Sequence, residues 1–138
     1  MLYHSNSEKE TEAIGSSFAA TLAPGTVCAF FGELGSGKTA FIRGMARGLG
    51  IDMPVSSPSF NIVNEYPGKI PLFHFDMYRL GSSDELFDIG WEDYLERNGV
   101  CAVEWSERVE DVFEPGTYYV VFTKTGETER NISIEVKK

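Results

Sequence analysis

Eight residues constrain this chain more than any other stretch. Gly32-Glu33-Leu34-Gly35-Ser36-Gly37-Lys38-Thr39 fills the pattern G-x-x-x-x-G-K-[ST], with an apolar run before it and an amphipathic one after. Glycines there let the backbone curl until successive N–H groups point at one anion, and a helix starting at that point adds the positive end of its dipole. Lys38 is expected to reach the terminal phosphates of a nucleoside triphosphate, and the Thr39 hydroxyl to ligate Mg²⁺. The flanks then predict a strand at "VCAFF" and a helix whose buried face is Phe41, Ile42, Met45, Ala46 and Leu49, stopped by Gly50.

The remaining segments fit around that unit. Ser7-Glu8-Lys9-Glu10 has capping-box form, and Ile14, Phe18 and Leu22 follow at helical spacing, so a first helix is expected from about Ser7 to Leu22. "SSPSFNIVNEYPGKIPLFHFDMYRL" reads as two strands around Pro67-Gly68-Lys69. "SSDELFDIGWEDYLERNG" reads as a helix in two pieces broken at Gly90. "VCAVEW" is another buried strand, and "TYYVVFTKTGETERNISIEVKK" a closing hairpin around Thr125-Gly126-Glu127. The pattern predicts one α/β domain over residues 1–138: a three-layer P-loop fold with a mixed central sheet and a C-terminal antiparallel hairpin.

A P-loop enzyme needs a carboxylate at the end of a buried strand to hold Mg²⁺ directly or through water. "LFHFD" ends in Asp76 and "VCAVE" in Glu104, each after largely apolar residues. Ligands of open α/β sheets gather at such strand ends. Glu104 is assigned to the metal, because a crossover through the preceding helix sets its strand near the P-loop strand. Asp76 then positions or deprotonates the attacking water, or holds metal-bound water. Ser56-Ser57-Pro58-Ser59, after the P-loop helix, reads either as a plain turn or, through Ser57-Pro58-Ser59, as a candidate γ-phosphate sensor. Trp105 reads either as core or as a cover over the site, and His74 as packed or functional. Arg79 and Arg130 are candidate phosphate or transition-state partners, or surface charges.

Composition narrows the classes. Twelve basic residues against twenty-one acidic give a net charge of −9, which argues against autonomous binding to nucleic acid. No apolar run approaches the roughly 20 residues a membrane span needs, and "MLYHSNSEKETEAIG" has no signal-peptide pattern, so a cytoplasmic location is expected. Cys28 and Cys101, each inside an apolar run, read as buried reduced thiols. With only those cysteines and His4 and His74, no zinc site is expected.

Five strings in order, "GELGSGKTAFIRGMARGLG", "SPSFNIVNEY", "HFDMYRL", "ELFDIGWEDYL" and "VCAVEW", resemble the bacterial TsaE (YjeE) family over about Ser7 to Arg130. These are small ATPases of tRNA threonylcarbamoyladenosine biosynthesis. The resemblance implies slow ATP hydrolysis with Mg²⁺, and action with the transferase TsaD and its partner TsaB, resetting that complex between cycles. It maps the nucleotide loop onto Glu33, Leu34, Gly35, Ser36, Gly37 and Lys38 with Thr39, and the second metal residue onto Glu104. It matches Thr11 to a threonine near the base and Arg130 to a C-terminal basic residue, and gives Asp76 and Trp105 functional positions. Ser59 stands where the family usually has threonine, and Ala40 replaces a common second threonine after the loop. Basic partners holding the tRNA also account for the acidity of this chain.

Three functions compete at this point: an ATPase acting on a partner, a small P-loop kinase phosphorylating a small molecule, and a module that binds ATP without hydrolysis. An Arg-rich lid is missing for the kinase, and an N-K-x-D guanine signature is missing for a GTPase. Asp76 and Glu104 speak against the pure binding module.

Overall fold

Strand and helix form on either side of the glycines as their pattern predicts. The computed structural model describes every residue except Leu34, Ser57, Ser59, Phe60, Asn61 and Arg79. Along the chain run β1 (Leu2–Ser5), α1 (Glu8–Ala19), β2 (Val27–Phe31), α2 (Lys38–Gly48), β3 (Val63–Tyr66), β4 (Leu72–Asp76), α3 (Ser83–Asp88), α4 (Trp91–Leu95), β5 (Val100–Glu104), β6 (Tyr118–Lys124) and β7 (Arg130–Val136). Two short 3₁₀ turns, Ser106–Arg108 and Glu110–Val112, separate β5 from β6.

Among the described residues the strands form one seven-stranded mixed sheet, ordered β1-β7-β6-β2-β5-β4-β3. Strand β5 lies between β2 and β4 and is parallel to both, so the crossover brings Glu104 beside the P-loop strand. The C-terminal hairpin joins through β6, parallel to β2. Strand β1 was not foreseen. It pairs antiparallel with β7, setting Ser5 opposite Arg130, and as a result α1 begins at the same edge where β2, β4, β5 and β6 end.

Local chemistry explains the helix ends. The Ser7 hydroxyl accepts the Glu10 N–H at 3.1 Å, as the capping box requires, while the Glu10 carboxylate accepts from the Asn6 N–H, one residue earlier than the motif implies. The helix stops at Ala19, short of the expected Leu22, although Leu22 still packs in the core. Gly90, at φ 94°, breaks α3 from α4 as expected.

Alternation along the strands sorts side chains into two cores. Cys28, Phe30, Leu72, Val100 and Ala102 pack with Phe18, Phe41, Ile42 and Met45 of α1 and α2. Phe73, Phe75, Cys101 and Val103 pack on the other face with Leu86, Trp91, Val109 and Phe113. Helices therefore cover both faces, giving three layers. Cys28 and Cys101 are buried free thiols on neighbouring strands, and burial pushes the Cys101 thiol up to about 12. No helix among the described residues is long and apolar enough to cross a membrane.

The contact between α1 and α2 depends on three glycines. A Cβ on Gly44 would stand 2.0 Å from the Glu12 carbonyl oxygen, one on Gly48 2.2 Å from that of Ser16, and one on Gly15 2.2 Å from that of Phe41. The backbones approach so closely that no side chain fits between them. Glu12 then pairs with Arg43 at 2.6 Å and with Arg47 at 3.4 Å, fastening the exposed side of the contact.

Candidate functional site

The edge where β2, β4 and β5 end opens into a cleft of about 780 Å³. Its lining brings together ten of the residues singled out from sequence: Thr11, Gly35, Ser36, Gly37, Lys38, Thr39, Asp76, Glu104, Trp105 and Arg130. Glu33 is exposed and not among the lining residues; its carbonyl accepts the Ser36 N–H at 3.2 Å and closes the loop. Leu34, Ser57, Ser59 and Arg79 lie outside the described residues.

The loop turns into α2 through Gly37, whose φ of 100° favours glycine. The first turn of α2 carries no acidic side chain and its N-cap makes no side-chain hydrogen bond, which leaves the N-terminus open to an anion. Ser36 Oγ is buried without a hydrogen-bond partner among the described residues. A buried hydroxyl left this way fits a loop completed by a ligand.

Lys38 is almost fully buried. Its Nζ donates to the Gly32 carbonyl at 2.8 Å and lies 4.2 Å from the centroid of the Trp105 ring. Burial holds its pKa below the usual lysine value, opposed by the nearby carboxylates of Glu104, Glu107 and Asp76. Trp105 takes a left-handed backbone, φ 57° and ψ 43°, uncommon for a bulky residue. That turn lays its indole over Lys38 and against Tyr78, with centroids 5.0 Å apart. Trp105 thus serves as a wall of the cleft.

Asp76 and Glu104 are register partners on adjacent parallel strands, on the face that carries α1 and α2. Burial raises the pKa of Asp76, while the Tyr78 N–H donated to Oδ1 at 3.0 Å opposes the shift. Glu104, with a side chain only 6% exposed, is 2.6 Å from His74 Nε2.

Thr11 Oγ1 is buried, 2.8 Å from Ser5 Oγ and 3.2 Å from the Ser7 carbonyl that it donates to. Arg130 turns its guanidinium onto backbone. It donates to the carbonyls of Ser36 at 3.0 Å and Gly35 at 3.0 Å, and to those of Gly126, Glu127 and Glu129. It therefore ties the β6–β7 turn to the phosphate loop, a part neither of the two sequence readings described.

Sequence reasoning gave no role in the site to Ser7, Glu8, Arg43, Tyr78, Glu127 and Thr128, which also line the cleft. Tyr78 sits inside "HFDMYRL", so its signal was present. Arg43 comes with α2, whereas Ser7 and Glu8 follow β1 and Glu127 and Thr128 belong to the hairpin turn, whose placement depends on long-range pairing.

Hydroxyl and carboxylate oxygens from Thr39, Asp76 and Glu104 are the hard donors Mg²⁺ prefers. Among the described residues no group of three or more His, Cys, Asp or Glu forms a metal cage. A nucleotide site needs none, since Mg²⁺ is commonly held by one or two carboxylates together with substrate phosphates.

Known proteins resemble this chain in sequence and in fold. The family model described as threonylcarbamoyl adenosine biosynthesis protein TsaE matches residues 5–132. A tRNA threonylcarbamoyladenosine biosynthesis protein TsaE from Bacillus subtilis is 42% identical over 126 residues, covering 91% of this chain and 78% of that protein. One from Treponema pallidum is 35% identical over 130 residues, covering 94% and 96%. A crystal structure of Bacillus subtilis YdiB superposes with a TM-score of 0.85 at 34% identity, covering 100% of this chain and 86% of that one.

Proposed function

Because this chain belongs to the TsaE family of tRNA threonylcarbamoyladenosine biosynthesis, we propose that it is a slow, Mg²⁺-dependent ATPase. Its nucleotide state gates association with a TsaD–TsaB-like transferase complex. The observation that carries this reading is the convergence of Lys38, Thr39, Asp76 and Glu104 on one cleft at the carboxyl edge of parallel strands.

The residues divide the work by position. The loop N–H groups and the Ser36 hydroxyl bind phosphate oxygens, and the Lys38 ammonium leaves the Gly32 carbonyl to meet the terminal phosphates. Thr39 and Glu104 would hold Mg²⁺, which supplies neutralisation of charge building on the phosphates. Asp76 orients the attacking water and takes its proton. Its raised pKa makes it a better acceptor than an ordinary aspartate. The new bond runs from water oxygen to the γ-phosphorus, and the bond to the bridging oxygen breaks, leaving ADP and phosphate. Trp105 and Tyr78 wall the cleft, Thr11 would stand near the base as the family resemblance implies, and Arg130, holding the Ser36 and Gly35 carbonyls, would keep them turned away from the phosphates.

The two acids separate by experiment. Glu104→Ala should weaken Mg²⁺-linked nucleotide binding, because the metal loses a carboxylate. Asp76→Ala should leave binding near wild type and slow turnover, a loss confined to the transition state. Metal titrations of nucleotide affinity alongside single-turnover phosphate release check both, and the reverse pattern would exchange the two assignments.

A further inference from the structure

His74 sits at the centre of β4, fully buried, on the face that carries Asp76. Its register partner on β5 is Ala102, so it reaches Glu104 along the diagonal, two residues further on. The Nε2–Oε2 distance is 2.6 Å. An ionised carboxylate only accepts, so Nε2 carries the proton in this contact. Nδ1 is buried and has no partner among the described residues. An apolar side chain at this position would fill the core without that uncompensated nitrogen. Packing alone gives no reason for histidine here; the bond to Glu104 does.

We infer that His74 is a positioning residue for Glu104: its Nε2–H fixes one carboxylate oxygen and so presents the other to a divalent cation in the cleft. This rests on the proposed role of Glu104 as a Mg²⁺ ligand. The logic is that of outer groups that orient metal ligands, whose loss typically reduces metal affinity roughly 10–100-fold.

The test compares wild type with His74→Phe, which keeps bulk and loses the donor, and His74→Gln, which keeps an N–H near the same place. His74→Leu replaces the phenylalanine variant if the larger ring prevents folding. Calorimetry measures ADP affinity with and without Mg²⁺, and melting curves are recorded on the same samples. His74→Phe should lose about tenfold or more of the Mg²⁺-linked tightening. Its metal-free ADP affinity should be unchanged and its melting temperature no lower than wild type. His74→Gln should recover most of the Mg²⁺ effect. Wild-type Mg²⁺ linkage in His74→Phe, or no advantage of His74→Gln over it, overturns the inference. So does loss of metal-free affinity and melting temperature together, the mark of a packing role. A wild type whose ADP affinity ignores Mg²⁺ overturns the ATPase reading itself, and this inference with it.

Discussion

Lys38→Ala is expected to reduce Mg-ATP turnover by roughly 10²–10³-fold, ~3–4 kcal/mol of transition-state stabilisation, while the protein keeps its fold. The lysine is a cation at the head of α2 that lines the cleft with Glu104, where the proposed reaction would need charge on the transferred phosphoryl group to be met. Its present contacts, the Gly32 carbonyl and the Trp105 ring, contribute little that the fold depends on. Burial already works against its charged form, so truncation removes a desolvated cation as well as a tether. The melting temperature should therefore stay close to wild type. Thr39→Ala should impair turnover likewise by removing a metal hydroxyl. Single-turnover phosphate release at saturating ATP, run beside thermal melts, is the measurement. Wild-type turnover in either variant would remove the phosphate loop from the mechanism.

Gly44→Ala should produce the larger change in stability, about 3 kcal/mol. In an unconstrained helix the same substitution gains roughly 1 kcal/mol from propensity, so even its sign is informative. The added methyl would meet the Glu12 carbonyl oxygen at 2.0 Å. That atom belongs to backbone and cannot rotate aside, which forces α2 away from α1. Gly48 and Gly15 make equally close approaches elsewhere in the contact, leaving the pair no easy way to slide into a new fit. Because α2 carries Lys38 and Thr39 at its N-terminus, the shift should weaken nucleotide binding as well. Gly81→Ala is the control, since its Cβ would meet only the end of the Glu85 side chain, at 3.5 Å. Urea midpoints at unchanged slope give the comparison. A stabilised Gly44→Ala variant would contradict the close backbone contact.

Local signals carried much of this architecture. The loop glycines, the Ser7 cap, the Gly90 break and the apolar strands ending in acids each depend on near neighbours in sequence, and each appears where the residues indicate. Expecting Asp76 and Glu104 at strand ends was enough to bring both to the cleft, although their direct register pairing needed the sheet. What stayed illegible depends on contacts far apart in the chain. Leu2–Ser5 is four residues long with an exposed leucine, and becomes a strand only because β7 offers it an edge. The guanidinium of Arg130 reads as a free cation until the hairpin turn and the loop carbonyls surround it. His74 looks like any strand residue until Glu104 arrives on the diagonal. Gly44 and Gly48 resemble poor helix formers until α1 lies against them.

Under the proposed function, bound nucleotide controls partnership, so that this small acidic domain delivers the energy of ATP to another macromolecule. A ligand shifts such an equilibrium only by its differential affinity for two states. Calorimetry of this protein with a purified TsaD–TsaB-type complex, in the presence of a non-hydrolysable ATP analogue or of ADP, measures that difference directly. Association should be tighter in the ATP-analogue state, by ~1–3 kcal/mol of coupling. Equal affinities in the two states would leave an ATPase and contradict the switch.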